Sequence, residues 1–133
     1  MNTKIFVNLP VKNLDATKEF FGKLGFTFNA QFSDETAVCM IVNEHIYSML
    51  ITEAKFKTFT PKAICDATKA TEVLIALSCE NRALVDEMVG KALAAGGTTY
   101  KGPKDHGFMY EHGFQDLDGH IWELFYMDPA AVK

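Results

Sequence analysis

Ile5–Lys23 reads IFVNLPVKNLDATKEFFGK, and 68 positions later Val73–Lys91 reads VLIALSCENRALVDEMVGK. Leu9 falls on Leu77, Asn13 on Asn81, Glu19 on Glu87, and Gly22-Lys23 on Gly90-Lys91. Further along each half, His45-Ile46-Tyr47 returns as His120-Ile121-Trp122. A repeat running from strand to helix to final strand marks a supersecondary unit that cannot cover its own apolar face alone. The expectation is therefore an α+β domain of two βαβββ modules packed around a shared concave cup, with a ligand site in that cup. The whole chain, 1–133, reads as one domain: a first module over about 1–53, a connection over 53–70, a second module over about 71–128, and a short C-terminal tail.

Working outward from the repeat, Ile5, Val7, Leu9 and Val11 alternate with Phe6, Asn8 and Pro10, which predicts a strand with two chemically different faces. Asn13 is placed to cap a helix over about Leu14–Leu24, with Leu14, Phe20, Phe21 and Leu24 turned inward and Gly25 ending it. Phe26–Phe32, Ala37–Val42 and Ile46–Thr52 read as strands. In the second half the strand spans Glu72–Cys79, and Asn81 caps a helix about one turn longer. Its inward face is Leu84, Val85, Met88, Val89, Ala92 and Leu93, and Gly96-Gly97 ends it. Thr98–Tyr100, Phe108–Gln115 and Ile121–Tyr126 complete the strands, with Asp118-Gly119 as a tight-turn signal between the last two. The connection Glu53–Ala70 reads as a linker or as a flap over the cup.

Composition narrows the function. The chain has 133 residues, is 48% hydrophobic and 23% charged, and carries a net charge of −4. It has no basic run, which argues against nucleic acid as a partner. No apolar stretch approaches spanning length, so no membrane role is expected. The first residues lack the layout of a secretory signal, and a cytoplasmic location is the expectation. Cys39, Cys65 and Cys79 are odd in number and widely spaced, against a disulfide framework or a zinc-binding pair.

The ending Phe114-Gln115-Asp116-Leu117-Asp118-Gly119-His120-Ile121-Trp122-Glu123-Leu124, the paired βαβββ order and the Ala95-Gly96-Gly97 helix exit together resemble the vicinal oxygen chelate superfamily. That superfamily holds glyoxalase I, bleomycin-resistance proteins, fosfomycin-resistance enzymes and extradiol dioxygenases. The chain is most similar to its bacterial "predicted lactoylglutathione lyase" subgroup. The resemblance implies a homodimer, and four metal-ligand positions, one on the first and one on the last strand of each module. Matched to this sequence, those positions read Phe6, Ser48, Leu74 and Glu123. Phenylalanine and leucine have no lone pair to donate and serine is a poor ligand, so neither a resident divalent metal nor another cofactor is expected. His45, His106, His112 and His120 are the histidines from which a shifted site could be built, and none shows a convincing two-ligand spacing.

If Glu123 points into the cup, alternation sends Ile121 and Phe125 there too and turns Trp122 and Leu124 toward the helix. Phe6, Asn8 and Pro10 then line the cup from the first strand, Leu74, Ala76 and Ser78 from the fifth, and Ile46, Ser48 and Leu50 from the fourth. Tyr110 and His112 are candidate partners for Glu123, and the loop Lys101–Gly107 is a candidate rim whose Lys104, Asp105 and His106 could touch a ligand. A carboxylate among apolar neighbours must be protonated, paired or wet, and Glu123 is the candidate general base or ligand anchor. The leading expectation is a bleomycin-resistance-like protein that holds a small molecule without a metal. The alternative is a glyoxalase-like lyase or isomerase acting on a small carbonyl compound or thiol adduct. An extradiol dioxygenase ranks last, because Phe6 and Leu74 stand where its histidines would be.

Overall fold

The computed structural model describes residues 2–131. It divides into two compact units, the first through Cys65 and the second from Asp66. In the first unit β1 (Ile5–Val11) leads into α1 (Leu14–Lys23), followed by β2 (Thr27–Asn29), β3 (Ala37–Ile41), β4 (Ile46–Thr52) and the single turn α2 (Glu53–Phe56). Its four strands form one sheet in the order β1-β4-β3-β2. The second unit repeats this with β5 (Leu74–Ser78), α3 (Arg82–Ala94), β6 (Lys104–Asp105), β7 (Met109–Gln115) and β8 (Ile121–Met127), in the order β5-β8-β7-β6. In each sheet the first strand pairs in parallel with the last, and the other pairs are antiparallel.

The helices form where the repeat places them. The Asn13 side chain accepts from the Ala16 amide at the start of α1, and Asn81 accepts from the Leu84 amide at the start of α3. Each supplies an acceptor to a first-turn donor that the helix cannot satisfy internally. Gly25 and Gly96 sit just beyond the helix ends at φ of 102° and 108°, a conformation in which a side chain would be strained. Phe20 and Phe21 are buried against the first sheet and Val85, Val89 and Ala92 against the second. Leu93 departs from the expected inward set: it is 45% exposed.

Two strand boundaries differ from the sequence reading. The second strand stops at Asn29, whose side chain accepts from the Gln31 amide and turns the chain into a 3₁₀ turn over Ala30–Phe32. Residues 98–100 do not form a strand, because only Thr98 bridges to Gln115. The strand that flanks β7 is instead Lys104–Asp105, within the expected loop, paired with Glu111 and Tyr110.

The core of the second unit is organised around Trp122, which is fully buried. Its indole Nε1–H donates to Asp116 Oδ2 at 3.0 Å, while Asp116 Oδ1 accepts from the amides of Asp118 and His120, each at 3.0 Å. Burial pushes the Asp116 carboxyl above the usual carboxylate range; the charge of His120 and these hydrogen bonds pull against that shift. In the same turn Gly119 has φ of 87°, and a Cβ there would lie 2.8 Å from backbone atoms of Ala67 and Thr68. Gly119→Ala should therefore lower stability by about 2 kcal/mol or more, read as a shift of the urea midpoint. Asp116→Ala leaves three donors without their acceptor, and a loss of about 3 kcal/mol is expected in the same unfolding experiment.

Candidate functional site

In each sheet the long helix covers one face; on the other face of the first sheet Cys39 and Ile51 are also buried, while Phe6 is exposed. In the second unit Trp122 and Leu124 are buried beneath α3, so Ile121, Glu123 and Phe125 occupy the other face of β8. Parallel pairing sets Leu74, Ala76 and Ser78 beside Ile121, Glu123 and Phe125. Antiparallel pairing sets Gly113 directly opposite Glu123, and Glu111 opposite Phe125. Leu74, Ala76, Ile121, Glu123 and Phe125 thus share one face, where alternation in the sequence places them, and Glu111 is a second carboxylate on that face. In the first unit the corresponding face carries Phe6, Asn8 and Pro10, again as expected. Phe6 is 44% exposed and stacks on Tyr47, with ring centroids 4.7 Å apart and planes 11° apart.

Glu123 is paired by two residues that the sequence reading did not select. The Tyr100 hydroxyl donates to Glu123 Oε2 at 2.7 Å, and Lys101 Nζ lies 3.5 Å from the same oxygen. The Glu123 side chain keeps 20% of its surface exposed. Burial pushes the Tyr100 phenol far above its ordinary value, with the hydrogen bond to Glu123 and the charges of Glu123 and Glu111 acting in the same direction. Tyr100 therefore remains a hydrogen-bond donor at any physiological pH. The available signal was Gly113, a glycine within a strand, which marks a place where something approaches the backbone closely. That something is the Tyr100 ring, with which a Cβ at Gly113 would collide.

Three of the expected lining residues lie elsewhere. Ser48 is fully buried on the helix-covered side of the first sheet, together with Leu50, and its hydroxyl donates to the Val7 carbonyl at 2.9 Å. Ile46 shares that strand phase. The open face of β4 carries Tyr47 and Met49 instead. The His45-Ile46-Tyr47 likeness is offset by one residue from the structural correspondence. Val42 N–H bonds Ile46 O in one turn and Asp116 N–H bonds His120 O in the other, so His120 corresponds to Ile46 rather than to His45. Asn8 pairs with Met49 as Ala76 pairs with Glu123, which makes Met49 the counterpart of Glu123. A one-residue slip moves every side chain of a strand to the opposite face.

Tyr110 and His112 are the other corrections. His112 pairs with Leu124, on the α3 side of the sheet. The Tyr110 hydroxyl donates to Asp86 Oδ1 on α3 at 2.6 Å, and the Arg82 guanidinium lies over its ring at 5.5 Å. That hydrogen bond is the main cause of an upward shift of the Tyr110 phenol. Neither residue reaches Glu123. The expected rim residues also form their own network: Arg82 bonds Asp105 Oδ2 at 2.8 Å and the Gly107 carbonyl at 3.0 Å, and His106 pairs with Glu111 at 3.1 Å. Two surface clefts lie away from Glu123. One of about 670 Å³ runs along the start of α1 between Lys12, Lys18, Phe28 and Glu35, and a smaller one of about 240 Å³ borders Asp116 and Gly119.

The comparisons with known proteins agree with this architecture. Residues 3–43 match the family described as "Bleomycin resistance protein-like N-terminal". The hypothetical protein SA1046 from S. aureus is 27% identical, covers 95% of each chain and superposes with a TM-score of 0.81. A glyoxalase/bleomycin resistance protein/dioxygenase family enzyme from Burkholderia phytofirmans PsJN is 16% identical over 92% of this chain and 96% of its own, with a TM-score of 0.76. The fosfomycin resistance protein FosX from Listeria monocytogenes is 18% identical over 95% and 93%, with a TM-score of 0.68. No curated protein matches the chain. These likenesses give the chain the fold of the glyoxalase/bleomycin-resistance-like proteins, and residues 3–43 are similar to the N-terminal part of the bleomycin-resistance-like family. No helix among the described residues is long and apolar enough to cross a membrane.

The hairpin network yields a pH prediction. The Gly107 amide that bonds Asp105, and secondarily Arg82, holds the Asp105 carboxyl below the ordinary carboxylate range. A depressed acid stabilises the fold above its unfolded value and loses that contribution as pH falls through the folded one. Amide exchange at Gly107, corrected for its intrinsic rate, should stay protected at neutral pH and lose protection below about pH 4.

Proposed function

We propose that this chain is a small-molecule-binding protein of the bleomycin-resistance type. Its ligand lies over the open face of the second sheet, Glu123 is the polar anchor, and no divalent metal takes part. The observation that carries this reading is the state of Glu123. A carboxylate with apolar neighbours at Leu74, Ala76, Ile121 and Phe125 is kept in place by Tyr100 and Lys101 rather than left to solvent. An apolar surface with a few fixed polar groups is the usual composition of a ligand site.

The metal-free part is supported by donor chemistry. Phe6 and Leu74 offer no donor atom, and Met49, in the place corresponding to Glu123, offers only a thioether, a soft ligand poorly suited to Zn²⁺ or Mg²⁺. Glu123 directs one oxygen at an ammonium and a phenol rather than at converging ligands. No group of three or more His, Cys, Asp or Glu among the described residues is arranged to hold a metal ion. A cytoplasmic homodimer belongs to the same reading. The exposed Ile5, Phe6, Val73 and Leu74 provide apolar surface for a second copy.

A second reading, a lyase or isomerase related to lactoylglutathione lyase, is favoured by the Tyr100–Glu123 hydrogen bond. A phenol and a carboxylate 2.7 Å apart are a pair able to move a proton next to a carbonyl. Calorimetric titration with metal-free bleomycin decides the first reading. Saturable binding is expected, weakened about tenfold or more in Glu123→Gln through loss of a charged acceptor. Absence of binding, or equal binding by the variant, would overturn it. Thioester formation from the methylglyoxal–glutathione hemithioacetal, abolished in Glu123→Gln, would establish the second reading in its place.

A further inference from the structure

Glu123 and Gly113 face each other across β7 and β8. At most positions in an antiparallel sheet, a side chain at 113 would stand beside Glu123 and fill the space next to it. Glycine leaves that space empty, and Tyr100 fills it. The ring arrives from residues 99–103, which pair with no strand, and lies against the Gly113 backbone. A Cβ at 113 would collide with the Tyr100 hydroxyl and would sit 3.1 Å from its ring carbon Cε1 and 2.8 Å from the Trp122 carbonyl oxygen. Tyr100 can therefore reach Glu123 only because residue 113 has no side chain.

The two partners of Glu123 meet the carboxylate at one atom. Tyr100 and Lys101 both contact Oε2. Tyr100 approaches from the β7 side, where its ring lies over Gly113, whereas β5 flanks Glu123 on its other side with the small side chain of Ala76. Holding Oε2 on one side fixes the rotation of the carboxylate and presents Oε1 away from Tyr100. A carboxylate on a flexible side chain would otherwise have to be ordered by the ligand itself, at the expense of affinity.

We infer that Tyr100 is the positioning residue of this site and Gly113 the strand position that admits it: together they hold Glu123 so that Oε1 is offered to a ligand group that donates a hydrogen bond. This rests on the binding reading above. The ligand class follows from the acceptor. A hydroxyl, amide or ammonium suits Oε1, while a carboxylate or phosphate meets like charge. The first unit lacks the arrangement, because Cys39 and Met49 form the pair that corresponds to Gly113 and Glu123. The site is thus a property of one repeat and not of the repeat as such.

The test uses the intact chain and two readouts. The first needs no ligand. With ¹³C-labelled tyrosine, the Tyr100 ring signal is followed through an alkaline titration in wild type, Glu123→Gln and Gly113→Ala. In wild type Tyr100 should be the last tyrosine to ionise. In Glu123→Gln it should ionise at lower pH, and Gly113→Ala should reproduce that shift with both partners still present. The second readout is bleomycin binding by calorimetry in wild type, Tyr100→Phe and Gly113→Ala, where both variants should bind about five- to thirtyfold more weakly. Tyr100→Phe keeps the ring and removes only the hydroxyl, so it folds even where a bulkier change would not. A Tyr100 titration unchanged in both Glu123→Gln and Gly113→Ala overturns the proposal, and so does wild-type affinity in Tyr100→Phe. If wild type binds no bleomycin while Tyr100 titrates as expected, the binding reading falls and the positioning of Glu123 by Tyr100 stands.

Discussion

The hydrogen bond from Trp122 to Asp116 is the constraint on which the second module depends. A fully buried indole needs an acceptor for its N–H, and Asp116, the one buried charged side chain among the described residues, supplies it. The other oxygen of that carboxylate gathers two amides of the turn, so the turn and the strand after it are fixed by one residue. What is fixed is the phase of β8. With Trp122 held under α3, Glu123 must face the other way, and β5 and β7 arrange their neighbours around that choice. The carboxylate is functional in position because the residue before it is structural.

Much of this was legible in the amino-acid sequence. Asn13 and Asn81 as caps, Gly25 and Gly96 as helix ends, and the alternation in Ile5–Val11 and Ile121–Phe125 are local signals, and the structure follows them. The misplacements share one cause. Strand faces depend on a phase that only a partner strand or a buried side chain can set. The likeness of His45-Ile46-Tyr47 to His120-Ile121-Trp122 is offset by one residue from the structural correspondence, since both turns span the same count, and that offset puts Ser48 on the wrong face. The sequence carries no register for Tyr110 and His112 against β8; His112 lies opposite Leu124 and Tyr110 bonds to α3, so both belong to the other side of the sheet. Tyr100 and Lys101 lie in residues without regular pairing, where sequence patterns carry no direction at all.

The two modules keep the same scaffold and differ in what they place on its open face. The first puts an aromatic stack of Phe6 on Tyr47 there, with Met49 and Cys39 in the central pair. The second puts Glu123 opposite a glycine, with Tyr100 laid into the gap. A duplicated unit can lose polar groups from one copy and concentrate them in the other without disturbing helix packing, because the two faces of a strand are chemically independent.

The parallel pairing of the first and last strand in each module has a consequence for how the chain is made. Ile5 can find its partner only when Ile46 has been synthesised, and Leu74 only when Ile121 has. Closing spans of roughly forty residues must precede any stabilising contact at those edges, so β1 and β5 are the last strands to be secured in their sheets. While a nascent chain waits, an apolar strand such as Ile5–Val11 is exposed along its length, and an early helix capped by Asn13 is the local structure that can shield one side of it. The capping asparagine of each repeat therefore sits at the start of the helix between the two paired strands, a segment whose hydrogen bonds close locally from its first residue.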